Sequence, residues 1–282
     1  MTEILDGKAV AKLTNEETAK RVAALPFTPK LAVIYDPENG GSELYVGMKS
    51  RKAARLGMET VDIAVPADAD TASVVATVKQ LNEDSSIQGI LVQSPLPGEI
   101  DEQVIFSAVA PAKDVDGLGA FSQGLLFADA PAEYTVAATP KGVMTLLEHY
   151  HIPTKGKRAL VVGRSQLFGR PMMALMLNAD ATVTIAHRYT PAEDLKAALK
   201  QADIVMVGVG IPNFIKGEDL QEGAVVVDVG MNVVDGKAVG DVDFASAQGI
   251  ASYITPVPGG VGPMTIATLL ENTVTAAELQ AK

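Results

Sequence analysis

"VVGRSQLFGRP", residues 161–171, runs from an apolar β-branched stretch through a Gly/Ser turn into a helical pattern. A strand that ends in such a turn and feeds a helix points backbone N–H groups, and the positive end of the helix, at one place, which suits a pyrophosphate. The spacing is G-x-S-x-x-x-G-x-P rather than G-x-G-x-x-G, and a plain strand-to-helix turn of any α/β protein has the same outline. The end of the following strand sharpens the reading. A sheet that holds NAD places an acid about 20 residues past the glycines, for the ribose 2′-hydroxyl, whereas arginine suits a 2′-phosphate. Here that strand ends in His187-Arg188, and Arg164 lies within the turn itself. The pattern favours NADP over NAD; solvated surface charge is the competing account of the two arginines.

Outward from this turn, apolar runs alternate with helical patterns along most of the chain, the signature of an α/β protein with a largely parallel sheet. RALVVG (158–163), ATVTIAH (181–187), ADIVMVGVG (202–210) and GAVVVDVG (223–230) form one series of strands. LAVIY (31–35), ETVDIAV (59–65) and IQGILVQ (87–93) form an earlier one, with helices expected over 8–25, 42–57 and 71–83. Residues 111–139 show no clear period and read as a long loop. A helix over 139–150 joins the two series, and a final helix from Pro263 to about Gln280 closes the chain.

The bulk composition bounds the possibilities. The 282 residues are 48% hydrophobic, enough for two modest domains. A formal charge of −11 argues against a non-specific nucleic-acid binder. The absence of cysteine excludes disulfides, thiolate zinc sites and cysteine nucleophiles, and three scattered histidines give no metal-binding spacing, so no metal site is expected. MTEILDGKAV has no signal-peptide pattern and the uncharged stretch at 204–215 is too short and too broken for a bilayer span, so a soluble, cytoplasmic protein is expected.

A second constellation lies in the earlier series. YVGMK (45–49) places Tyr45 and Lys49 on one face of a helix, one turn apart. A lysine partly desolvated there has its pKa lowered towards the range useful for proton transfer, although Arg51, Lys52 and Arg55 on the same helix also fit a merely wet surface. GILVQSPLP (89–97) brings Gln93 to the carboxyl edge of a buried strand, where open α/β sheets bind ligands. PAKDVDGLG (111–119) carries Asp114 and Asp116 on a glycine-bounded loop, and ITPVPGGVGPMTIATLLENT (254–273) is a Pro/Gly loop that leads into the last helix.

Taken together with VVVDVGMN (225–232) and GDVDF (240–244), these stretches closely resemble the bifunctional methylenetetrahydrofolate dehydrogenase/cyclohydrolase family, in order, from about residue 4 to residue 279. PVPGGVGPMT and KDVDG are the specific motifs. The resemblance implies two α/β domains with a ligand cleft between them: a catalytic, folate-binding domain over 1–139, completed by the helix 263–282, and a Rossmann-like NADP domain over 140–262. It implies oxidation of 5,10-methylenetetrahydrofolate with NADP+, then hydrolysis of the methenyl form to 10-formyltetrahydrofolate.

The same resemblance assigns residues. Lys49 would be the general acid/base, hydrogen-bonded by Gln93, with Tyr45 orienting the folate and Asp116 gripping the pterin. Val92, Ser94, Pro258, Gly259, Gly260, Val261 and Gly262 would line the folate site, and Gly163, Arg164, Ser165, Arg188 and Met231 would contact NADP. A homodimer is implied as well. Ser94 stands where the family commonly has leucine, which implies looser apolar contact with the ligand. Two other accounts compete: an NADP-dependent oxidoreductase of short-chain type, in which Tyr45 and Lys49 polarise a carbonyl, and a ligand-binding module without turnover.

Overall fold

The computed structural model describes residues 1–282, the side chains of residues 42 and 44 excepted. The chain divides into two compact units. One comprises Leu13–Ala138 with Ile266–Lys282, the other Met1–Lys12 with Thr139–Thr265.

The unit that begins at Leu13 is built on a three-stranded parallel sheet in the order β3 (Glu59–Ala64), β2 (Lys30–Tyr35), β4 (Gly89–Val92). KLAVIY is apolar on both faces because helices cover both, and its four inner residues are buried. β3 is an open edge, and none of its residues is buried. The helices are α1 (Gly7–Ala24), α2 (Gly40–Arg55), α3 (Thr71–Glu83), α4 (Glu102–Ala108) and α5 (Ala120–Phe127). α3 has the bounds its sequence suggests because Asp70 and Ser73 make a reciprocal capping box at its start. At its far end the buried Lys113 donates to the carbonyls of Leu81 (2.8 Å) and Asp84 (2.7 Å), so this lysine of the KDVDG segment is a helix stop.

The last helix, α10 (Val261–Gln280), supplies Ile266, Leu269, Leu270 and Val274 to the core that covers one face of this sheet. Its buried Asn272 donates to the carbonyls of Val115 and Val136, both at 2.9 Å, and so clamps the segment between them. Residues 111–139 are therefore no plain loop. They contain α5, which the Gly- and Pro-rich composition hid, and which is tied down when the Ser122 hydroxyl donates to Asp114 at 2.8 Å.

The second unit has a six-stranded, wholly parallel sheet in the order β1 (Glu3–Ile4), β11 (Tyr253–Ile254), β8 (Val225–Asp228), β7 (Ile204–Val207), β5 (Arg158–Val162), β6 (Thr182–Ala186). Helices α6 (Ala138–His149), α7 (Gly169–Asn178), α8 (Ala192–Leu199) and α9 (Phe244–Ala247) accompany it, and β9 (Asn232–Val234) pairs with β10 (Lys237–Val239) in a separate hairpin. The first twelve residues belong here and not with the unit that follows them in sequence. The Glu3 N–H donates to Ser252 O (2.8 Å) and the Leu5 N–H to Ile254 O (2.9 Å), so a two-residue strand completes the sheet edge. Gly7 then packs so tightly that a Cβ there would sit 1.7 Å from the Gly260 carbonyl oxygen.

β5 has β6 on one side and β7 on the other, so the chain reverses its direction of growth across the sheet at β5. Open α/β sheets bind ligands at the carboxyl ends of strands that flank such a switch point. The turn after β5 leaves no space for side chains: Gly163 has φ 132°, and a Cβ on Gly169 would lie 2.2 Å from the Gly163 carbonyl oxygen. Replacing Gly169 with alanine must push backbone against backbone. The Gly169→Ala variant is expected to lose about 1–3 kcal/mol of stability, as overpacking does, measured by urea unfolding.

Candidate functional site

Helix α2 turns Lys49 inward, although its neighbours Arg51 and Arg55 are solvated. Lys49 retains 7% of its surface. Its ammonium donates to Gln93 Oε1 at 2.6 Å. Gln93 follows β4 directly and is held in line with the sheet by its own N–H, which donates to Ile34 O at 2.8 Å. Burial pushes the Lys49 pKa below the ordinary lysine range, and the charge of Asp116 opposes that shift in part. Tyr45, one turn earlier on α2, keeps 36% of its surface.

The two acids of KDVDG part company. Asp114 is buried and spends its carboxylate on the chain itself, accepting from Leu118 N (3.2 Å), Gly119 N (3.0 Å) and the Ser122 hydroxyl. Asp116 keeps some accessible surface, yet enough protein surrounds the carboxyl that desolvation raises its pKa to about 6; Lys49 pulls it down, Asp114 pushes it up, and the Ala138 N–H lowers it. Gly117 permits this placement: its φ is 63° and a Cβ would approach Ala137 N at 2.6 Å.

Ser94 has a polar partner on a neighbouring helix. Its hydroxyl donates to Glu102 Oε2 at 2.6 Å, and Glu102 Oε1 accepts from Leu96 N at 2.7 Å. The serine therefore makes a polar tie to α4, a partner that sequence reading did not single out. Val92, at the end of β4, is buried.

In the six-stranded unit, Arg164 and Arg188 converge on one ring. The Arg164 guanidinium carbon lies 5.5 Å from the Tyr189 centroid and that of Arg188 4.9 Å, and Arg188 also donates to the Tyr189 hydroxyl at 3.0 Å. Ser165 closes the turn by accepting from Phe168 N at 3.2 Å. Beside these residues, a cavity of about 560 Å³ is lined by Ala186, Arg188, Leu195, Val209, Ile211 and Phe214 among others. A glycine cradle that a Cβ would fill, two guanidiniums and an adjoining apolar cavity fit a phosphorylated dinucleotide. Met231 is 47% exposed, and a Cβ on Gly262 would approach its methyl carbon at 3.8 Å. The loop from Pro258 to Gly262 also belongs to this unit.

Two more buried acids lie in the same unit. Asp228 accepts from Gly230 N, Asp241 N and Val242 N, and burial pushes its pKa up to about 6 against those bonds. Asp241 accepts from Val209 N (2.6 Å), Gly210 N (2.9 Å) and Asn232 Nδ2 (2.8 Å), which fixes the loop that lines the cavity. Their sequence signal is an acid at the end of an apolar strand, VVVDVG, and another beside a glycine, GDVDF. Among the described residues, no group of three or more histidine, aspartate or glutamate side chains is gathered to hold a metal ion, and no helix is long and apolar enough to cross a membrane.

A parallel sheet with a dinucleotide-type turn, together with a second α/β unit that holds a desolvated lysine, defines an α/β enzyme of the dinucleotide-binding class. Comparison with known proteins narrows the class. The catalytic-domain model for tetrahydrofolate dehydrogenase/cyclohydrolase matches residues 5–116 and the NAD(P)-binding-domain model matches 137–281. The bifunctional protein FolD of Leuconostoc mesenteroides is 72% identical, with 99% of each chain covered. The crystal structure of the Campylobacter jejuni bifunctional enzyme FolD, a methylenetetrahydrofolate dehydrogenase/cyclohydrolase, superposes with a TM-score of 0.96 at 40% identity, covering 99% of both chains. A Trypanosoma brucei FolD complexed with NADP cofactor and inhibitor superposes at 0.93 with 36% identity, over 99% of this chain and 98% of that one. The chain belongs to the tetrahydrofolate dehydrogenase/cyclohydrolase family.

The Lys49–Asp116 coupling has a definite sign. Lys49 lowers the Asp116 pKa, so Lys49→Met is expected to raise it above about 6, read by carbon-13 NMR titration of labelled aspartate. Asp116 and Asp228 both titrate higher in the fold than the ordinary 3.8. The stability linked to these two groups is thus fully present below 3.8 and is lost as pH rises through about 6.

Proposed function

We propose that Lys49 is the general acid/base of a folate site in which Gln93 holds its amine, Tyr45 orients the substrate and Asp116 binds the pterin. The chain is a bifunctional enzyme, a methylenetetrahydrofolate dehydrogenase and methenyltetrahydrofolate cyclohydrolase that uses NADP. The observation that carries the residue roles is the buried Lys49 amine at 2.6 Å from Gln93, with its pKa lowered by burial and Asp116 electrostatically coupled to it.

Hydride removal from 5,10-methylenetetrahydrofolate leaves a methenyl cation that the two adjacent nitrogens stabilise, so this step needs orientation more than acid or base. When bound, NADP+ supplies the hydride acceptor. Gly163, Arg164, Ser165, Arg188 and Met231 are the residues we assign to hold it, with the two guanidiniums placed for a 2′-phosphate.

Hydrolysis does need proton transfer. Water adds to the methenyl carbon and gives up one proton to form a carbinolamine; the C–N5 bond then breaks as N5 gains a proton and the carbinol hydroxyl loses its own, which leaves a neutral formyl group on N10 and one proton released overall. A lysine below its ordinary range supplies more of the neutral amine that can take the first proton, and the ammonium so formed can return it. Asp116, as the carboxylate, accepts from the donor-rich pterin edge. Val92, Ser94, Pro258, Gly259, Gly260, Val261 and Gly262 are the residues we assign to the folate lining. The catalytic domain is drawn as residues 13–138 with 266–282, and the NADP domain as 139–265 with residues 1–12. We further assign a homodimer acting in the cytoplasm, which supplies 10-formyltetrahydrofolate to formyl-transfer reactions such as those of purine biosynthesis.

The short-chain alternative has no support: the Tyr45/Lys49 helix lies in the unit that lacks the glycine-turn sheet. Purified protein is expected to form the methenyl chromophore from methylenetetrahydrofolate and NADP+, faster than with NAD+; turnover of simple ketones without folate affinity would support the alternative instead. Lys49→Met is expected to abolish methenyl hydrolysis, whereas Lys49→Arg keeps some hydride transfer. Full hydrolysis by Lys49→Met would remove this residue from its role. Light scattering on a sizing column should give twice the 29.4 kDa chain mass.

A further inference from the structure

We propose that Glu102 and Ser94 form an outer brace that sets the orientation of the Gln93 amide, which makes Glu102 a positioning residue for methenyl hydrolysis. The inference rests on the role given to Lys49 above.

A glutamine amide has two unlike ends. Turned over, Gln93 would present N–H donors to an ammonium that has only donors of its own. What selects the useful orientation is an acceptor at the other end: Gln93 Nε2 donates to the Ser94 carbonyl at 3.0 Å. That carbonyl is an effective selector only if the segment that carries it is fixed.

Glu102 fixes it. Its two carboxylate oxygens take the Ser94 hydroxyl at 2.6 Å and the Leu96 N–H at 2.7 Å, lengths in the charge-assisted range. Glu102 sits in the first turn of α4, which is anchored independently. Asp101 caps it by accepting from Gln103 N and Val104 N, and Ile105 and Phe106 are buried in the same apolar cluster as Leu96. Position is thus relayed from α4 through Glu102 and Ser94 to the Gln93 amide, and from there to the Lys49 amine. Hydride transfer makes no comparable demand on Lys49, so a loosened brace should cost hydrolysis selectively.

The full-length enzyme tests this through the two activities measured side by side. Glu102→Ala is expected to lower kcat for methenyl hydrolysis about tenfold, the scale on which outer partners of functional side chains act. Hydride-transfer kcat and the KM for folate should move much less. Glu102→Gln, which keeps one acceptor oxygen, should recover part of the loss. Ser94→Ala should fall in the same direction, and the double variant Ser94→Ala/Glu102→Ala no lower than Glu102→Ala alone, because the two act in line. Should Glu102→Ala fail to fold, Glu102→Gln carries the same comparison of activities. An unchanged ratio of hydrolysis to hydride transfer, or a parallel fall of both with a rise in KM, overturns the brace. If Lys49→Met abolishes hydrolysis while the ratio in the Glu102 variants stays unchanged, the brace alone fails; if Lys49→Met still hydrolyses, the underlying role of Lys49 fails with it.

Discussion

An ammonium removed from water must be compensated or neutralised, and Lys49 is the place where this protein accepts that cost. The side chain points inward from a helix otherwise rich in solvated cations, so its burial is imposed by its position beside β4 and not by its own chemistry. A neutral acceptor, Gln93 Oε1, and the charge of Asp116 offset the desolvation without cancelling it. A closer ion pair would have favoured the charged form of the lysine. The partial compensation leaves the Lys49 pKa below the ordinary lysine range, and the surrounding structure serves mainly to hold that balance. Asn272 clamps the segment bearing Asp116, Gln93 extends the line of β4, and Glu102 ties down the residues that follow.

The buried acids show how one residue type serves two purposes. Asp114, Asp228 and Asp241 direct their oxygens at backbone N–H groups and act as knots in loops at the carboxyl ends of strands. Asp116, two residues from Asp114, is the one left facing a side-chain cation. Glycines make this possible. A Cβ on Gly240 would lie 1.9 Å from Asp228 Oδ2, and one on Gly230 would lie 2.3 Å from the Asp241 carboxyl carbon. The recurrent pairing of Asp with Gly in this sequence therefore records backbone packed directly on carboxylate, in both units.

Elements with their own local signal were legible before any coordinates. β5 with its glycine turn was, because apolar run, Gly spacing and helix start all agree; so was α3, which Asp70 caps. α5 was not, since AFSQGLLF is eight residues long with a glycine inside, and it depends on Ser122 reaching Asp114. β1 and β11 have two residues each, too few to show any period, and exist only because they pair with one another and with β8. The lysine and its glutamine were legible as motif residues, but the inward direction of Lys49 was not, since an amphipathic helix with four basic residues reads equally well as wet. Ser94 was legible only as a departure. Its purpose depends on Glu102, eight residues on, and no spacing rule links a loop serine to the first turn of the next short helix.

Charge sets a final constraint. The chain carries a formal −11, yet its cofactor and a folate with its glutamate carboxylates are both anions. Over distances beyond about 8 Å, physiological salt screens the net charge, so what an incoming phosphate meets is the local arrangement. Here Arg164 and Arg188 share the face and hydroxyl of Tyr189. Stacking on one ring restrains two long side chains that would otherwise lose rotamer freedom on binding, and gives two like charges an aromatic partner that does not compete with an anionic ligand as a carboxylate would. The aromatic ring is thus the more suitable partner. An acid in its place would neutralise the two arginines that we assign to a 2′-phosphate, and an acid at a strand end suits the ribose hydroxyl of the unphosphorylated dinucleotide instead.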